Sequence, residues 1–217
     1  MRRFAFLAAC LMAAGVLAGC GGDPEPGDTI KRQAYESAEV QFTAPAEGDT
    51  IAIFDTSAGE VRAVLYPDLA PMAVDNFVGL AEQGYYNGLT FHRAEYGFVV
   101  QSGDGTGTGL GGSTIWNGNP FPAEYTDKLH HYAGALCAAN SPDADPSTTS
   151  QFYFVQALPS SVDKAAQQTL TDAGVRQEVI DAYAAVGGLP YLDNTDTVFG
   201  QVYEGMDVVD AIAGGEK

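Results

Sequence analysis

Apolar residues begin to recur at alternate positions near residue 50. Ile51 and Ile53, then Val61, Ala63 and Leu65, flank the turn-forming run Thr56-Ser57-Ala58-Gly59, and this stretch predicts a β-hairpin. The period then changes. Pro71 stands where a first helical turn tolerates it, Ala73, Phe77, Leu80 and Ala81 follow at helical spacing, and Gly84 supplies the stop, so an amphipathic helix is predicted. Short apolar strands are predicted at 90–92, 98–101, 136–139, 152–155 and 198–203, separated by clusters of Gly, Asn, Asp and Pro. Two more helical patterns follow: Val175, Val179, Tyr183 and Val186, which end at Gly187-Gly188, and Met206, Val209 and Ile212. Many short strands with few helices predict a barrel or sandwich, with a helical insertion around 165–187.

The chain ahead of this region reads differently. Arg2 and Arg3 precede an apolar run from Phe4 to Leu17, too short to cross a bilayer as a helix, so residues 1–19 read as a signal peptide. The run closes with Leu17-Ala18-Gly19-Cys20, which resembles the lipobox of bacterial lipoproteins and implies cleavage before Cys20 and lipidation of its thiol. Ordinary signal-peptidase cleavage, leaving Cys20 as a free thiol, is the alternative. Residues 20–48 are rich in Gly, Pro, Asp, Glu and Thr, with few large apolar side chains except near Val40 and Phe42, and read as a flexible tether. Residues 49–217 are enough for one domain with a single core. The expected location is extracytoplasmic, on a bacterial cell membrane through a lipid anchor at Cys20.

Cysteine count and charge narrow the chemistry. Cys10 leaves with the signal and Cys20 carries the anchor, so Cys137 has no disulfide partner; its apolar surroundings predict a small buried hydrophobe rather than a nucleophile. The formal charge of −18 becomes −20 once Arg2 and Arg3 are lost, which makes nucleic acid and an anionic membrane surface poor partners. Gly107-Thr108-Gly109-Leu110-Gly111-Gly112 satisfies the spacing of a dinucleotide-binding loop, but the residues after it, with Asn117, Gly118, Asn119, Pro120 and Pro122, cannot form the helix whose N-terminus would face a pyrophosphate. Adjacent His130 and His131 cannot both face one site on a strand, and no acidic residue stands at metal-ligand spacing with them, so neither a metal nor a cofactor is expected.

The informative series is Phe91-His92-Arg93, Gly97-Phe98-Val99-Val100-Gln101-Ser102-Gly103-Asp104, the glycine-rich loop, Gly111-Gly112-Ser113-x-Ile115, Phe121-x-x-Glu124, Ala138-Ala139-Asn140, Ser150-Gln151-Phe152-Tyr153 and Val198-Phe199-Gly200. In content and order it resembles the cyclophilin family of peptidyl-prolyl cis/trans isomerases, over about residues 50 to 213. Gly187-Gly188-Leu189-Pro190-Tyr191-Leu192-Asp193, after an extra helical stretch, is most similar to bacterial surface cyclophilins. The resemblance implies a mainly β fold with some α, a closed antiparallel β-barrel flanked by helices, and isomerisation of X-Pro bonds in exported or surface proteins. It implies Arg93, Gln101 and Phe98 as catalytic residues, with Gln101 holding the Arg93 guanidinium by hydrogen bonds. It also implies Val99, Ala139, Asn140, Gln151, Tyr153, Tyr191 and Leu192 as substrate-binding residues. Unfolded or folding proline-containing polypeptides are the implied partners, and a monomer is expected. A cyclophilin-like binding or holdase module with little or no turnover is the alternative; Arg93, Phe98 and Gln101 occurring together argue against it.

Several positions depart from the family pattern. Val99 stands where methionine is usual, Tyr153 where phenylalanine is usual, and Asp196 where histidine is frequent. Tyr191 replaces the tryptophan associated with strong cyclosporin binding, which implies weak inhibition. The segment from Asn140 to Ser150 is about two residues longer than usual. Family members continue past the last helix into a strand that closes the barrel, whereas this sequence stops at Lys217. Two readings are open: residues near Val40 to Phe42 cover part of that edge, or the sequence is a truncated form of a longer protein. The second is favoured.

Overall fold

The computed structural model describes residues 23–32, 34–140 and 147–215, so the signal read at 1–19 and the Cys20 anchor lie outside the described residues. The predicted hairpin is β1 (Ile51–Thr56) and β2 (Gly59–Leu65), closed by a hydrogen bond from the Thr56 hydroxyl to the Gly59 carbonyl at 2.6 Å. The predicted helix is α1 (Pro71–Glu82). Its N-cap, Ala70, offers no side-chain acceptor, so the first N–H groups turn elsewhere: Glu124 accepts from Met72 at 3.1 Å and from Ala73 at 2.9 Å. This gives the Phe121-x-x-Glu124 motif a local purpose, because a carboxylate at a helix N-terminus also meets the favourable end of its dipole.

The remaining strands are β3 (Arg93–Ala94), β4 (Val99–Ser102), β5 (Phe121–Pro122), β6 (Ala135–Asn140), β7 (Ser147–Val155) and β8 (Thr197–Glu204); the remaining helices are α2 (Lys164–Asp172), α3 (Gln177–Val186) and α4 (Met206–Gly214). The strand predicted at 90–92 lies instead at 93–94, because residue 90 is held by a side chain, the Ser102 hydroxyl donating to the Thr90 carbonyl at 2.9 Å, rather than by a ladder. The helical insertion is two helices, separated at Gly174, whose φ of 77° is left-handed. α2 covers none of its residues fully, and only Ala166 and Leu170 pack against the core, whereas α3 buries Val179, Ile180, Ala182 and Tyr183.

All strand pairs are antiparallel, in the order β1-β2-β8-β6-β7-β4-β3, with β5 also on β7. The sheet curls into the helix-flanked barrel form that the sequence predicts, but the path stays open: among the described residues no ladder joins β1 to β3. α4 packs against β2, β3 and β4 across this opening. Val40–Phe42 does not extend the sheet; it is a 3-10 turn whose buried Gln41 donates to the His130 carbonyl and to the Gln201 side chain, both at 2.9 Å, and accepts from the His130 N–H at 2.7 Å. Tyr35 and Phe42 pack beside Tyr132. The described part of the stretch read as a tether therefore contains docked residues.

Side chains alternate across the sheet and build two separate packings. One face, with Val100, Leu136, Phe152, Phe154 and Phe199, packs with Phe77 of α1 and Val209 of α4. The other, with Val99, Cys137, Tyr153, Val155 and Val198, receives Phe98, Ala139 and Leu192 at its margin. The site lies on this second face.

Candidate active site

Directly opposed residues on antiparallel strands share a face, so the register draws a row across the sheet. Arg93 pairs with Gln101, Gln101 with Tyr153, and Tyr153 with Cys137. The row runs from an exposed cation at the edge to a fully buried thiol. Above it lies a cavity of about 680 Å³ whose wall includes Arg93, Phe98, Val99, Gln101, Ala139, Asn140, Gln151, Tyr153 and Leu192. Nine of the ten residues expected around a substrate are thus brought together. Tyr191 is not in the wall; it is 66% exposed, on the 3-10 turn Pro190–Leu192 that presents Leu192 to the cavity.

The Arg93 guanidinium carbon lies 5.0 Å from the centre of the Phe98 ring, a cation–π distance. Its Nε donates to Glu95 at 2.8 Å; both side chains are more than two-fifths exposed, so this pair orients the guanidinium more than it stabilises the fold. The expected hydrogen bond between the Arg93 guanidinium, as donor, and Gln101 is not formed. Gln101 donates instead to the Gln151 side chain at 2.8 Å, and Gln151 donates to the carbonyls of Gly109 at 3.0 Å and Gly111 at 2.6 Å. The glycine-rich loop thus supplies the acceptors for Gln151, and Gln151 the acceptor for Gln101.

That loop is held by Asp104, which accepts from the N–H groups of Thr106 at 2.7 Å, Thr108 at 3.0 Å and Gly109 at 2.6 Å. Burial opposes ionisation of Asp104, but the bonds from Thr106, Gly111 and Gly109 outweigh it and hold the carboxyl well below the usual range. A Cβ on Gly111 would stand 2.1 Å from the Asp104 Oδ1, so a larger residue there would have to displace the carboxylate that holds the loop. No helix follows it; the next element is β5.

The recess is floored by Val99, 2% exposed, and Tyr153, 4% exposed. Burial pushes the Tyr153 phenol well above its ordinary value, and nearby Cys137 and Asp196 add to the effect, so the hydroxyl remains a donor, to Asp196 at 2.7 Å. Burial likewise keeps the Cys137 thiol protonated, consistent with packing rather than nucleophilic chemistry. Asn140 donates to the Thr195 carbonyl and so ties β6 to the loop carrying Asp196.

Sequence reasoning left several wall residues out of the site: His92, the loop from Thr108 to Gly112, Thr149 and Asp196. Asp196 stands in the sequence only as a departure from the family pattern, and the loop, though part of the motif series, carries no assigned substrate contact there. The histidines need a correction as well. His130 and His131 do converge on one group, because they lie outside any strand: both Nδ1 atoms meet Asp193 at 2.9 Å, the His131 N–H donates to it at 2.9 Å, and the Tyr183 hydroxyl lies 2.9 Å from each carboxylate oxygen.

Comparison with known proteins agrees with this geometry. The sequence profile of the family described as cyclophilin type peptidyl-prolyl cis-trans isomerase/CLD matches residues 51–217. A provisionally named peptidyl-prolyl cis-trans isomerase of Staphylococcus saprophyticus is 44% identical over 162 residues, covering 74% of this chain and 79% of that protein. One from Staphylococcus aureus is 40% identical over 168 residues, covering 77% and 82%. A provisionally named bifunctional phosphatase/peptidyl-prolyl cis-trans isomerase of Streptococcus pyogenes is 44% identical over 164 residues, covering 74% of this chain and 33% of that longer protein. Among solved structures, a Cryptosporidium parvum cyclophilin-type isomerase, crystallised in the presence of the dipeptide Ala-Pro, superposes with a TM-score of 0.57 at 25% identity, covering 75% of this chain and 84% of that one. With the motif series in place around a single apolar recess and matches over most of its length, this chain belongs to the cyclophilin-type peptidyl-prolyl cis-trans isomerases.

Proposed function

We propose that Arg93 accelerates rotation about X-Pro bonds by donating to the prolyl nitrogen when the imide is twisted. Conjugation between nitrogen and carbonyl gives the ground-state bond partial double-bond character and a barrier of about 18–20 kcal/mol. At half rotation conjugation is lost, the nitrogen becomes pyramidal, and its lone pair can accept a hydrogen bond that the planar form cannot. A donor placed there stabilises the transition state alone. With Nε engaged by Glu95, both Nη groups of Arg93 are without a protein acceptor among the described residues, and the residue lines the cavity. Phe98, Val99, Tyr153 and Leu192 would take the proline ring, while Ala139, Asn140 and Gln151 face the flanking chain and Gln101 steadies Gln151 rather than the cation.

The observation that carries this reading is the guanidinium seated over Phe98 at the mouth of the recess. Exchange on an Ala-Pro peptide, with wild type, Arg93→Ala and Arg93→Lys, tests it. Arg93→Ala should lose about tenfold to a thousandfold in kcat/KM, and Arg93→Lys should recover only part, because an ammonium cannot present a planar fork. Unchanged turnover in Arg93→Ala would overturn the mechanism. A folded wild type that binds such peptides without accelerating exchange would make the chain a binding module.

The substrates proposed are exported or surface proteins, met by a monomeric domain anchored through lipid on Cys20. The supporting features are the short apolar leader and the lipobox-like Leu17-Ala18-Gly19-Cys20. Palmitate should label wild type and not Cys20→Ala in bacterial cells; no label on wild type removes the anchor from the proposal.

A further inference from the structure

The stretch that leads into the domain carries a cation held more firmly than a linker needs. Arg32, with an 18% exposed side chain, donates through Nε and Nη2 to the two carboxylate oxygens of Asp210 on α4, at 3.3 and 2.7 Å. It also donates to the carbonyls of Ala157 at 2.8 Å and Gln156 at 3.3 Å. A bidentate pair with further bonds to carbonyls fixes the guanidinium in one place. Asp210, only 10% exposed, accepts in addition from Nε2 of Gln156 at 2.9 Å. Gln156 is completely buried, and its Oε1 accepts from the Gly97 N–H at 2.5 Å while its own backbone N–H donates to the Phe98 carbonyl at 2.9 Å.

This chain of bonds settles an ambiguity. A primary amide can present either its oxygen or its nitrogen to a given neighbour. The Asp210 carboxylate accepts only, so the NH₂ end of Gln156 must face it and the oxygen must face Gly97. Were the amide to flip, two donors would meet at Gly97 in a buried place and two acceptors at Asp210. Gly97 sits at a φ of 78° in the turn closed by the Phe98 N–H on the Glu95 carbonyl at 3.0 Å. That turn delivers both Glu95, which holds the Arg93 Nε, and Phe98, whose ring lies beneath the guanidinium.

We propose that Gln156 is a positioning residue for the isomerisation, and that Arg32 sets it through Asp210, so that the segment before the sheet is part of the active-site scaffold. The kinetic part of this proposal rests on the Arg93 mechanism above; the structural part does not. Isotope-labelled protein carrying the native segment from Asp23 onward should show the Gly97 and Phe98 amide resonances displaced by Arg32→Ala, 65 residues away from Gly97 in sequence, and returned most of the way by Arg32→Lys. On an Ala-Pro peptide kcat should fall about tenfold, with KM changed less, since misplacing the reacting pair weakens the transition state more than the bound ground state. Asp210→Asn, which keeps the shape but lets the amide turn, should do the same, and the double variant should be no slower than the slower single one. A purely structural role predicts a lower melting temperature with kcat and the Gly97 resonance unmoved; that result in either folded variant overturns the proposal. An inactive wild type whose Gly97 resonance still responds to Arg32 would instead strike at the Arg93 mechanism and leave the coupling standing.

Discussion

Tyr153 joins the floor of the recess to the Asp196 carboxylate in its wall: its ring packs with Val99 and its hydroxyl donates to Asp196 at 2.7 Å. Tyr153→Phe keeps the ring and removes the donor. A hydrogen bond to a charged acceptor contributes about 1.5–3 kcal/mol, so chemical denaturation should show a loss approaching that size. Turnover should stay within about threefold, because phenylalanine is the usual family residue and proline meets the ring rather than the hydroxyl. At the rim, Tyr191 is two-thirds exposed and free to be exchanged without disturbing the wall. Tyr191→Trp should therefore tighten cyclosporin inhibition by about tenfold, equivalent to about 1.4 kcal/mol, in a peptide assay that leaves uninhibited kcat/KM nearly unchanged. Arg93, Phe98 and Gln101 were legible in the sequence as residues of the site, because their motifs are ordered and specific. The partner of Gln101 was not, because an amide's direction is decided by acceptors on a separate loop, at Gly109 and Gly111, acting through Gln151.

Among the elements, the insertion is fastened to the site by one carboxylate. Asp193 follows Leu192 directly and accepts from His130, His131 and Tyr183 of α3, so the turn presenting Leu192 is tied to that helix. Burial opposes its ionisation, but the hydrogen bonds and charges of His130 and His131 lower the carboxyl from 3.8 to about 2. A folded pKa below the unfolded one means that ionised Asp193 contributes stability fully above about pH 4, and that the contribution fades as pH falls toward 2; nearly two pKa units correspond to about 2 kcal/mol. Asp193→Asn should accordingly lower the melting temperature at neutral pH and remove this component from the decline between pH 4 and 2, read as the wild-type minus variant difference. Helix α1 was legible because its buried residues keep a helical period, and the hairpin β1–β2 because its turn residues stand between two apolar runs; which face of β1 meets the core was not, since Ala52 and Phe54 turn inward and Ile53 is 56% exposed. α2 was not resolved from α3, since two partly covered apolar residues, Ala166 and Leu170, make too short a stripe to stand apart. β3 lies at Arg93–Ala94 rather than at 90–92 because two paired positions carry too little pattern to locate a strand.

For the molecule as a whole, alternation along β4, β6 and β7 does two jobs, giving one face to the helices and the other to the recess. This division was legible as a strand-rich fold, but low hydrophobicity before residue 49 concealed the docking of Arg32, Gln41 and Phe42, which depends on individual hydrogen bonds and one aromatic contact rather than on composition. The fully covered Cys137 lies between the two strands that flank β6, opposite Tyr153 on one side and Val198 on the other. A sulfhydryl reagent can reach it only when the middle of the sheet parts, so alkylation reports how often the innermost strand is laid bare. In a chain with Cys10 and Cys20 replaced by serine, modification in native buffer should be at least about a thousandfold slower than in denaturant, given a stability of about 5 kcal/mol or more. A saturating proline ligand should slow it further in proportion to the binding energy it adds. Occupancy of the groove could then be followed through a sulfur atom that never touches the bound peptide.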